Sequence, residues 1–218
     1  MCFSAGASFG ASTFLAVTGV VTIVKAKTIR QRLFGAIPLI FSVQQLSEGL
    51  LWLSLKHHGL TAGEPFFIYT FLVFAMVVWP LWIPLTISLL EKEARRKKIM
   101  TVLVITGVVV SLCFGCILLI YPVHANAAQH HIHYGFDFPS AIKDLVWLLN
   151  MLYFIITVIS PFISTIKRMK LLGIIAAASF LFTVIFYNSS VVSVWCYFAA
   201  VLSIVVLWII MGQQKKVL

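Results

Sequence analysis

Apolar residues along this chain do not alternate, nor recur once per helical turn; they run on in long blocks separated by short polar connections. Seven blocks stand out, at roughly 3–24, 33–55, 66–90, 99–121, 141–164, 171–187 and 194–211. A helix needs about 20 predominantly apolar residues to cross the hydrocarbon core of a bilayer. The blocks are too long and too uniform for barrel strands, which alternate apolar and polar residues over about ten positions. The pattern predicts an all-α polytopic membrane protein: a single domain over residues 1–218, with seven transmembrane helices and no water-soluble insert.

The connections sharpen this picture, because their charge alternates. Lys25, Lys27, Arg30 and Arg32 fill the first; Lys92, Arg95, Arg96, Lys97 and Lys98 the third; Lys167, Arg168 and Lys170 the fifth; Lys215 and Lys216 end the chain. Fourteen of the 16 Lys and Arg therefore fall on one side, leaving Lys56 and Lys143 on the other. Basic residues in short loops stay cytoplasmic. The N-terminus is predicted outside and the C-terminus in the cytoplasm of a cell inner (plasma) membrane. No Lys or Arg precedes Lys25, so the first block reads as an uncleaved span rather than a signal peptide.

Composition supports the same class. Of 218 residues, 61% are hydrophobic and 10% charged, against roughly 25% charged in a soluble domain. Disorder and an ordinary soluble enzyme are excluded. The net charge of +10 is chiefly a topology signal, and it favours contact with anionic lipid headgroups. The predicted partner is the bilayer; no nucleic acid is expected, since no exposed domain presents the charge. Oligomeric state is not legible.

Few residues could carry chemistry. Glu48 lies in the second span, about seven residues from its outer end, hence on the order of 10 Å below the surface. An ionised carboxylate there costs roughly 2.5–3.5 kcal/mol, so it should face the bundle interior. Gln44 lies one turn below it, Gln45 on a neighbouring stripe, and Asn150 of the fifth span at a similar depth. Glu48, Gln44, Gln45 and Asn150 are predicted either to line an outward-facing polar pocket or to clamp spans two and five together. In the first span, Gly6 and Gly10 with Ala7, Ala11, Ser8 and Ser12 read as a helix-packing stripe. Pro38, Pro80, Pro84 and Pro161 fall inside spans, where each removes a hydrogen bond and favours a kink.

All six histidines fall on the outer side. His57 and His58 end the second span, and His124, His130, His131 and His133 lie in the loop 122–140. Neutral imidazoles of His130, His131 and His133 are candidate ligands for a transition-metal ion, the one cofactor considered. Glu48 and His57 lie nine residues apart, about 14 Å along a helix. One ion cannot touch both, so a shallow histidine layer and a deeper carboxylate layer are expected. Cys113 and Cys116 have the C-x-x-C spacing of redox pairs, but within an apolar helix they also fit as core residues. Cys2 would be exposed as an N-terminal nucleophile only if Met1 were removed.

Met1-Cys2-Phe3-Ser4-Ala5, Ala7-Ser8-Phe9-Gly10, Ile37-Pro38-Leu39, Gln44-Gln45 and Glu48-Gly49 together resemble a family of small bacterial multi-spanning membrane proteins to which no activity is assigned. The resemblance covers about the first 55 residues by motif and the rest by hydropathy, and it implies no chemistry. Seven-span hydrolases of the ceramidase kind place histidines inside their spans, and microbial rhodopsins a lysine in the last; neither feature is found here. The residues favour binding or transport of a small polar solute or cation. The alternatives are a membrane-embedded enzyme using the Glu48 carboxylate, metal-assisted or not, and a sensor or assembly subunit.

Overall fold

The structure is a computed structural model and describes residues 4–56, 63–128, 131–187 and 191–214. It is mostly helical. Among the described residues six helices are long and apolar enough to cross a membrane: α1 (Ala5–Lys25), α2 (Ile29–Lys56), α3 (Glu64–Leu90), α4 (Ala94–Ile120), α5 (Ser140–Ile163) and α6 (Met169–Phe186). Two further segments, Val191–Tyr197 and Ala199–Gln214, meet at a 40° bend and make a seventh such helix only when taken as one span; together they are α7. Leu119 is 89% exposed, Val24 75% and Ile185 71%. Side chains of this kind on the outer wall suit hydrocarbon as the surrounding medium.

Local chemistry sets the helix ends. The Ser4 hydroxyl accepts a hydrogen bond from the Ala7 amide and caps α1. Thr28 and Gln31 form a reciprocal capping box that opens α2. That helix breaks at Ala36, just before Ile37-Pro38, then continues from Ile37 to Lys56. Two π-helical stretches, Val73–Val78 in α3 and Ile155–Ile159 in α5, lie immediately ahead of Trp79-Pro80 and Ser160-Pro161. A proline cannot donate to the carbonyl four residues back and clashes with it; a wider turn relieves the clash. The Ser111 hydroxyl of α4 bonds the Val77 carbonyl at 2.7 Å, so a neighbouring helix supplies a donor at the kink.

Small residues let the helices meet, though not all those the sequence suggested. On α1 the buried stripe is Ser8, Ala11, Ser12, Leu15, Thr18, Gly19 and Thr22. Ser12 and Ser42 exchange hydroxyl-to-carbonyl bonds of 2.9 and 2.8 Å, and a Cβ on Gly19 would lie 2.7 Å from the Leu39 amide nitrogen. Gly6 and Gly10 are exposed and pack against no neighbouring helix. Both are turned away from the stripe that begins at Ser8. Gly107 of α4 abuts the Pro80 carbonyl, which Pro84 cannot answer: a Cβ there would collide with it.

The expectation of an all-helical chain needs one correction. Residues 122–140 contain a β-hairpin, β1 (Val123–Ala128) and β2 (His131–Phe136), antiparallel with Ala125 opposite Tyr134 and Asn126 opposite His133. Alternation explains it: Val123, Ala125, Ile132 and Tyr134 turn inward and pack with Leu51, Trp52, Phe71 and Leu72. The rings of Phe71 and Tyr134 stack at 5.1 Å. The hairpin thus caps one end of the bundle. The basic connections lie at the other end, beside a second core of Phe34, Ile87, Met100, Met169, Val206 and Ile210.

Candidate functional site

α2 carries three polar side chains that are completely buried: Gln44, Gln45 and Glu48. Gln45 and Glu48 are three apart and so share a helix face; the Gln45 amide donates to Glu48 Oε2 at 3.2 Å. The first segment of α7 presents Ser193 and Cys196, again three apart. The Ser193 hydroxyl donates to Glu48 Oε1 at 2.5 Å, and the Gln44 amide donates to Cys196 Sγ at 3.0 Å. From α3 the Trp79 indole N–H donates to Gln44 Oε1 at 2.7 Å. One polar layer thereby joins α2, α3 and α7.

Above this layer sits the hairpin cap. Below it, toward the basic end, lies a mainly apolar cavity of about 70 Å³. Phe41, Trp79, Tyr153, Thr157, Trp195 and Cys196 are among the residues that line it. Trp79 and Cys196 belong to both, so the cavity touches the layer at the Gln44 end. A single water needs about 10–15 Å³, so the space holds several.

Asn150 is not part of the layer. It is exposed, and its amide donates to the Val146 carbonyl of its own helix at 2.9 Å. Leu149 is the buried residue of that turn, and the next position lies about 100° around the helix. The Asn150 side chain is turned outward, away from the face that Leu149 buries. Through its buried amides and carboxylate α2 is joined to α3 and α7.

His124, His131 and His133 lie on the far side of the cap, alternating with the inward residues of the hairpin. His124 Nε2 lies 2.8 Å from Asp137 Oδ2, both exposed, and the His131 ring meets Tyr187 edge-on at 6.4 Å. His57, His58 and His130 lie outside the described residues, as does Cys2. Among the described residues no three His, Cys, Asp or Glu side chains are placed to hold a metal ion. Cys113, Cys116 and Cys196 are free thiols, with Cys116 exposed.

A second buried carboxylate, Glu91, escaped the sequence reading because its connection reads as uniformly basic. Glu91 Oε2 accepts from the Ser164 hydroxyl at 3.1 Å and the Thr165 amide at 2.7 Å. Its Oε1 accepts from the Thr165 hydroxyl at 2.6 Å and from the amides of Lys92 and Glu93 at 2.9 and 3.1 Å. Burial opposes ionisation, yet these donors, led by Thr165, win and hold the Glu91 carboxyl down at about 2. Nearby, Arg96 bonds the Ile163 carbonyl at 2.7 Å. Glu91 therefore staples the α3–α4 connection to the α5–α6 connection.

Set against known families, residues 1–217 match the model of a family of unknown function, DUF6629. The chain belongs to that family. The resemblance read from the first 55 residues thus extends through the DUF6629 match to nearly the whole length, α7 and its Ser193 included. No curated protein matches the chain. The Glu48 layer must be read from its own chemistry: hydrogen-bonding oxygens and amides around one carboxylate, suited to holding a polar or charged group out of water.

Proposed function

We propose that this is an integral membrane protein of seven spans that binds, and moves between compartments, a small polar solute or cation at the Glu48 layer. The observation that carries the reading is the complete burial of Glu48, Gln44 and Gln45 in mid-bundle. A carboxylate and two amides there cost far more than apolar residues would, and such residues mark ion and substrate pathways. The 14-to-2 division of basic residues orients the N-terminus and the hairpin outside, with the basic connections in the cytoplasm of a cell inner membrane. In that orientation the outward-facing pocket is shut: the hairpin covers the outer mouth, and the free space lies on the cytoplasmic side of the layer. The conformation is closed to the outside. Binding is favoured over catalysis because both Glu48 oxygens accept bonds from the protein's own Gln45 and Ser193.

Carbodiimide labelling of Glu48 in reconstituted vesicles, read by peptide mass spectrometry, tests this. Water-soluble reagent added on the cytoplasmic side should modify Glu48, and reagent added on the hairpin side should react far more slowly. Glu48 that stays unmodified from both sides across the pH range, while the exposed Glu93 and Asp137 react, would sink the proposal.

A further inference from the structure

Two buried oxygens on the facing helices α1 and α2 have no partner among the described residues. They are Oε1 of Gln45 and Oγ of Ser8. Both residues are completely buried, and a buried polar atom left unpaired costs roughly 1–3 kcal/mol. The Gln45 amide is not misoriented. Its Nε2 donates to Glu48 Oε2, and turning the amide over would set two acceptors against each other.

The two oxygens share one level of the bundle. α1 and α2 run antiparallel, with Ser12 bonded to Ser42 and the Phe9 ring against Gly49. Ser8 is one turn from Ser12 on the α1 stripe. Gln45 lies between Ser42 and Gly49 on the α2 face that meets it. Ser8 therefore faces the turn holding Gln45 and Glu48, yet neither unpaired oxygen satisfies the other.

Resting on the reading of the Glu48 layer as a binding site, the geometry points to a small, hard, monovalent cation of the sodium class as its occupant. Its ligands are Ser8 Oγ, Gln45 Oε1 and the Glu48 carboxylate, with Ser193 Oγ beside them. Hard cations take oxygen donors of this kind, carboxylate, amide carbonyl and hydroxyl. A single carboxylate balances a single charge. Soft or borderline metals are disfavoured, because the set offers no imidazole, and Cys196 Sγ is engaged by Gln44. The role assigned to Ser8 is thus more than helix packing.

The test is thermal unfolding of the purified full-length protein in nanodiscs, in sodium, potassium or choline chloride at equal ionic strength. Sodium should raise the midpoint in a saturable way, and choline should not. Ser8→Ala should fold, since it removes an unpaired hydroxyl, and should match or exceed the wild type in choline. Its half-saturating sodium concentration should rise about tenfold. Glu48→Gln should lose the sodium response altogether. Equal midpoints in all three salts, or an undiminished sodium shift in Ser8→Ala, would overturn the cation and leave ordered water as the occupant. Neither result would touch carbodiimide access to Glu48, so the broader reading fails or stands separately.

Discussion

Replacing Glu91 with Gln isolates the staple at the cytoplasmic end. The wild-type carboxyl sits at about 2 in the folded protein, against an ordinary 4.5. A folded value below the unfolded one means that the unfolded chain binds the proton first. Stability from Glu91 is therefore complete above about pH 4.5 and drains away as pH falls toward 2. The span of the shift corresponds to about 3 kcal/mol. The side chain is covered by its immediate neighbours but sits at the end of the bundle with little protein around it, so nearby water screens part of the shift and leaves about 1–2 kcal/mol. The Gln variant keeps one carbonyl acceptor but sets an amide donor either against the Thr165 N–H and Ser164 hydroxyl or against the Thr165 hydroxyl and the Lys92 and Glu93 amides. It should lose about 1–2 kcal/mol at pH 7, with a flatter stability profile between pH 5 and 3. Denaturant or thermal unfolding of both proteins in nanodiscs across that range measures the difference. Parallel profiles for wild type and Glu91→Gln below pH 5 would refute the reasoning, whatever their absolute offset.

Other consequences follow from single contacts. Gly107→Val places side-chain atoms where the Pro80 carbonyl already lies; overpacking of this kind costs about 1–3 kcal/mol, to be read as a lowered unfolding midpoint. Ser12→Ala and Ser42→Ala should each cost about 0.6 kcal/mol, typical of hydrogen bonds between membrane helices, and the losses should nearly add in the double variant, because each hydroxyl donates to the other residue's backbone carbonyl; a coupling above about 1 kcal/mol would contradict this. Asn150→Leu should change stability by less than about 0.5 kcal/mol, because its amide serves only its own helix; a large loss would restore it to the interior.

The long apolar blocks made the helices legible, to within a few residues at most ends, because burial in hydrocarbon demands length and little else. The hairpin was written in the chain as plainly, in the alternation of Val123 and Ala125, then Ile132 and Tyr134. Four histidines in the same stretch drew attention to metal chemistry instead. Glu48 was legible through cost alone: a carboxylate at that depth has to be answered. Its partners were not, since depth counts only one coordinate. Asn150 points outward, whereas Ser193 and Trp79 face the layer. Ser8 looked like a packing residue because a hydroxyl among alanines and glycines gives no sign, in one dimension, of what it faces. Glu91 was hidden by its neighbours: five cations in eight residues make a connection look like a charge signal rather than a clamp.

The most direct measurement of the central claim is an experimental density map of the protein in nanodiscs, in sodium, at a resolution that shows ordered solvent. The account predicts a discrete peak within coordinating distance of Ser8 Oγ, Gln45 Oε1 and the Glu48 carboxylate, beneath the closed hairpin, and loss of that peak in choline. Protein atoms packed directly onto Gln45 Oε1 and Ser8 Oγ, with no space between them and Glu48, would contradict it.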